Sequence, residues 1–126
     1  MLKRLKEMED KYEIIGDVRG IGLMIGVEIV KNKHTKGYGI NERNSILCKS
    51  SEKGLILLPS GTSVIRICPP LIINKKQADK GLDILEDSIK ALISSSLIAL
   101  IFFSNPVERF PITWSILSSS MEDMAM

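Results

Sequence analysis

Apolar residues at Leu2, Leu5 and Met8 recur at three-residue steps with Lys and Glu between them, which predicts a short amphipathic helix ending before Gly16. The stretch GDVRGIGLMIGVEIV then changes period. Asp17 to Arg19 reads as extended, Gly20 and Gly22 permit a turn that a Cβ would obstruct, and Leu23 to Val30 is β-branched enough for a buried strand. KNKHTKGYG is a polar loop. In INERNSILCKSSEKG, Asn41 is a candidate cap for a helix that carries Lys53 in its last turn and leaves through Gly54. Leu55 to Leu58 and Val64 to Cys68 predict two paired strands around the turn residues Pro59, Ser60 and Gly61, with Pro69 and Pro70 closing the second. Asn74 and Gln77 have the spacing of a capping box, and Ala78, Leu82, Leu85, Ile89 and Leu92 continue along one helical face. The order is helix, strands, helix, two strands, helix. It predicts an α+β fold, a small and largely antiparallel sheet covered by helices.

Composition divides the chain near residue 90. All but one of the 17 Lys and Arg, and all but three of the 15 Asp and Glu, precede it. Residues 1–92 therefore read as one domain and residues 93–126 as a tail of a different character. In the tail, LIALIFF is far shorter than the ~20 apolar residues a spanning helix needs, so it reads as buried or aggregation-prone rather than as a membrane anchor. A net charge of +2 with one Trp, two Tyr and three Phe gives no basic, aromatic-studded surface for nucleic acid. Cys48, Cys68 and the single His34 have no metal-ligand spacing, so no metal is expected. Two thiols and a charged amino terminus without a secretion signal suit the cytoplasm.

Arg66 is the residue that chemistry singles out. In VIRIC the pleat sends Ile65 and Ile67 to one face and Val64, Arg66 and Cys68 to the other, so a guanidinium stands on the face away from the core. Its two parallel N–H donors fit a carboxylate, either one on a ligand or a local Asp or Glu. The other candidates are weaker. GDVRGIG lacks the helix that a phosphate-cradling loop requires, His34 lies in a Lys-rich loop with no companion, and Ser60 and Cys68 have no base at a readable spacing. Lys49 and Lys53 read as helix-surface charge. No catalytic constellation is complete within the chain.

Three blocks, GDVRGIGLMIGVEIV, EKGLILLPSGTSVIRICPPLIINKKQ and ADKGLDILEDSIK, resemble in order and spacing the carboxyl-terminal part of class-III aminotransferases, over roughly residues 2 to 92. The likeness is greatest to the 4-aminobutyrate and acetylornithine/ornithine branch. It implies the small carboxyl-terminal domain of a fold-type-I enzyme, working against a large domain that binds pyridoxal phosphate (PLP), commonly as a homodimer. It also implies carboxylate-bearing amines and 2-oxo acids as substrates, with Arg66 at the position that holds the substrate carboxylate. The Schiff-base lysine, the aspartate that pairs with the pyridine nitrogen and the phosphate-binding segments have no match here, so this chain by itself is expected neither to bind PLP nor to transfer amino groups. The competing reading is a stand-alone module that binds a small ligand or a protein without catalysis.

Overall fold

The computed structural model describes residues 1–104, with side chains placed through residue 95. In chain order, α1 spans Leu2–Lys11, β1 Ile15–Ile21, β2 Met24–Ile29, α2 Ile40–Glu52, β3 Leu58–Ser60, β4 Val64–Ile67 and α3 Lys75–Ser104. Met1–Leu92 make one compact unit. Of the second unit, Ile93–Met126, only the α3 backbone through Ser104 is described, so the tail readings, LIALIFF among them, fall largely outside the described residues.

The strands form one antiparallel sheet in the order β1-β2-β4-β3. One face is apolar because the side chains alternate. Val18, Ile25, Val27, Ile65 and Ile67 are buried together with Leu5 and Met8 of α1, Ile46 of α2 and Leu82, Leu85 and Ile89 of α3. Burying each such side chain contributes about 1.5–3 kcal/mol relative to leaving it in water. The fold is the α+β arrangement read from the sequence.

Polar contacts fix the helices. Glu86 of α3 accepts from Tyr12 Oη at 2.8 Å, Lys11 Nζ at 3.0 Å and Arg4 Nη2 at 3.3 Å, which ties α1 to α3. These donors, the Tyr12 hydroxyl first, hold its carboxyl down at about 2 from the ordinary 4.5. Ser50 of α2 donates to Ser88 of α3 at 3.1 Å inside the core. The capping box forms as read: Gln77 N donates to Asn74 Oδ1 at 2.8 Å, and Asn74 N donates to Gln77 Oε1 at 3.2 Å.

Three local expectations are corrected. Gly39, not Asn41, precedes the first residue of α2, and Asn41 lies exposed in the first turn. The start is set by packing: Gly39 N donates to Ile29 O, and a Cβ on Gly39 would meet Ile29 and Val30 at 3.1–3.2 Å. In the second hairpin, β3 begins only at Leu58, and Pro59 and Ser60 are strand residues paired with Ile65 and Val64. Because β3 is an edge strand, the missing N–H of Pro59 costs no ladder bond, and the reversal falls on Gly61 at φ 53°. In the first hairpin, Gly22 makes the turn at φ 59°, whereas Gly20 lies within β1.

Candidate functional site

The outer face of the sheet carries every second residue of each strand, and the register sets them in rows. Arg66 of β4 stands opposite Gly26 of β2 on one side and Leu58 of β3 on the other. Gly26 in turn stands opposite Arg19 of β1, and Glu28 of β2 lies between Asp17 and Val64 in the next row. Two guanidinium groups therefore flank one glycine, and Glu28 is diagonal to both. Diagonal neighbours on a sheet are within reach of long side chains.

The charges do not divide evenly. Arg19 Nη1 donates to Asp17 Oδ2 at 2.8 Å and to Glu28 Oε2 at 3.2 Å. Both carboxylates hold the Arg19 guanidinium more firmly protonated, Asp17 most. Arg66 is exposed, and among the described residues no carboxylate pairs with it.

Arg66 also borders a groove of about 680 Å³, within the size range of small-ligand sites. Its walls are largely apolar, with Met24, Leu57, Leu58, Cys68, Pro69 and Leu82 among them, and Gln77 adds an amide. One cation at the edge of an apolar trough is suited to a ligand with a carboxylate at one end and an apolar body.

The remaining candidates stay apart from this feature or add no chemistry to it. His34 is exposed, and its loop is pinned by Asn32 Oδ1, which accepts from the backbone N–H of His34 at 2.7 Å and of Thr35 at 3.1 Å. Ser60 is exposed on the edge strand, Lys53 lies just past α2, and Lys49 is half-buried on that helix. Cys48 and Cys68 are free, exposed thiols. Among the described residues no group of His, Cys, Asp and Glu could hold a metal. No described helix is long and apolar enough to cross a membrane.

Two features escaped the sequence reading. The Asp17–Arg19–Glu28 cluster follows directly from a hairpin turn at Gly22, and reading Gly20 as a turn residue concealed it. Arg43 is 9% exposed on α2 and donates to Gly61 O at 3.2 Å, anchoring the β3–β4 turn. An arginine at a helical position facing the core is the signal that was available for it.

A family model described as aminotransferase class-III matches residues 1–89, and the chain belongs to that family. Among its relatives, leucine/methionine racemase of Thermococcus litoralis is 48% identical over 88 residues, 70% of this chain and 20% of that protein. The 5-aminovalerate aminotransferase DavT of Pseudomonas putida is 46% identical over 86 residues, covering 66% of this chain and 20% of its own. A PLP-bound aminotransferase mutant from Vibrio fluvialis superposes with a TM-score of 0.66 at 33% identity, over 74% of this chain and 21% of its own. This chain thus spans about a fifth of the length of the relatives it matches.

PLP is bound in that Vibrio enzyme, but the described residues that line this groove do not fit it. Among them is no lysine to meet an aldehyde and no carboxylate to meet a pyridine nitrogen.

Proposed function

We propose that this chain is the carboxyl-terminal small domain of a PLP-dependent class-III enzyme and that Arg66 receives the substrate carboxylate there. The observation that carries the proposal is the Arg66 guanidinium, paired with no carboxylate among the described residues, at the edge of an apolar groove and on a strand whose opposite face is core. Family membership supports the wider frame: a large domain that binds PLP, a homodimeric assembly, and carboxylate-bearing amines and 2-oxo acids as substrates. Exposed apolar side chains fit such packing, since Ile21 at the end of β1 and Leu71 and Ile72 in the loop after β4 are each about nine-tenths exposed. Two exposed free thiols suit a reducing compartment, and we place the protein in the cytoplasm. By itself the chain is proposed to be inactive, because no described lysine lines the groove.

Amino transfer is the reaction we propose, with racemisation as a second reading, because a racemase is among the relatives of highest identity. Arg66 would serve both by fixing the substrate through its carboxylate, leaving the reaction type to groups elsewhere. The test joins this domain to the large domain of a class-III relative and follows 2-oxo acid formation and loss of chirality separately. Arg66→Ala should weaken carboxylate substrates by on the order of 2–5 kcal/mol, and Arg66→Lys should restore little, because an ammonium lacks the planar two-donor fork. An uncharged amine should react unchanged. Equal losses for charged and uncharged amines would make Arg66 a structural residue.

A further inference from the structure

The freedom of Arg66 needs an explanation, because a carboxylate lies within its reach. Gly26 stands opposite both Arg19 and Arg66, so Glu28, two residues along β2, is diagonal to each arginine. A Glu and an Arg on diagonal positions of one sheet face pair readily. In this sheet Glu28 pairs with Arg19 at 3.2 Å and leaves Arg66 open. Asp17 completes the arrangement: it stands opposite Glu28 and binds the same Arg19 nitrogen at 2.8 Å, so a single guanidinium collects both carboxylates.

We propose that Arg19 is a positioning residue that keeps Arg66 available for a ligand by drawing Glu28, together with Asp17, to the far side of Gly26. The proposal deepens the reading of Arg66 as the carboxylate-binding group and rests on it. Without Arg19, Asp17 and Glu28 would face each other across the β1–β2 pair, and Glu28 would turn to the guanidinium on its other diagonal, that of Arg66. A ligand carboxylate would then compete with an internal one. The space over Gly26 is open, since a Cβ there would meet only the Val64 side chain, at 3.3 Å.

The test uses the full chain and observes the Nε–H resonance of Arg66 by proton–nitrogen NMR, with isocaproate as the carboxylate probe and the matching alcohol as its uncharged control. Arg19 is exposed, so Arg19→Met is compatible with folding. An exposed ion pair is populated only modestly over its open form, so Arg19→Met should lower isocaproate affinity at Arg66 by about two- to sixfold. The ligand-free Arg66 resonance should move at the same time, as Glu28 takes up the guanidinium. Adding Glu28→Gln to Arg19→Met should return both readings to those of the native chain, which a general structural defect would not allow. The inference is overturned if Arg19→Met leaves the resonance and the affinity as they were, or if the double variant restores neither. If isocaproate leaves native Arg66 unmoved while the resonance still shifts in Arg19→Met and returns in the double variant, the guarding role of Arg19 stands. The ligand role of Arg66 then falls.

Discussion

At the scale of the residue, the glycines of the first hairpin separate two kinds of constraint. A Cβ at Gly20 would lie 2.5 Å from Met24 O and 2.8 Å from Ile25 Cα. Those are backbone atoms of the paired strand, so only a displaced hairpin can relieve the contact. Gly20→Ala should cost about 1–3 kcal/mol, read as a lower denaturation midpoint with an unchanged slope. Gly26→Ala meets only the end of the Val64 side chain and should change stability by no more than about 1 kcal/mol. Pattern reading assigned Gly20 to a turn because glycine is the usual residue there. Its actual reason, the close approach of two strands, depends on which residue lies across from it.

Among the elements, α1 and α3 are joined by a titratable contact whose sign can be worked out. The Glu86 carboxyl is depressed from 4.5 to about 2, so its stabilisation is complete above the unfolded value and is lost as pH falls through the folded one. Stability measured by thermal melts should decline between about pH 4.5 and 2, and Glu86→Gln should flatten that part of the profile. Glu86 is partly buried, at 16% side-chain exposure, and Lys11 and Arg4 are more open to solvent. The loss attributable to Glu86 should therefore be on the order of 1–2 kcal/mol rather than the full value of the shift. Tyr12→Phe should raise the Glu86 pKa by NMR titration, since the hydroxyl is its leading partner. The start of α3 offers a second check. Asn74→Ala removes the oxygen that accepts from Gln77 N and should cost about 1 kcal/mol.

For the molecule as a whole, the buried apolar side chains among the described residues all lie between Leu5 and Ile89. A chain ending at Ser95 retains all of these and should unfold cooperatively, which denaturant melts of the shortened and full chains would check. A large loss would show that residues beyond 95 complete the core. The same economy explains the outer face. A four-stranded sheet with helices on one side leaves the other side to water or to a partner, and Ile21, Met24, Leu58, Leu71 and Ile72 are exposed there or in the adjoining loop.

By itself the sequence determined whatever depends on neighbours along the chain. The capping box of Asn74 and Gln77 starts α3 as read, Ile65 and Ile67 turn inward while Arg66 turns outward, and the blocks from GDVRG to LEDSIK carry the family. Helical and strand periods are local properties, so they survive in a one-dimensional pattern. Tertiary structure decided what depends on register. It moved the start of α2 to Gly39, let Pro59 join an edge strand, buried Arg43 against the β3–β4 turn, and set Gly26 between two arginines so that Glu28 went to Arg19. Register is a relation between segments far apart in the chain. A shift of one residue would reverse every face, and only the packed sheet selects among the alternatives.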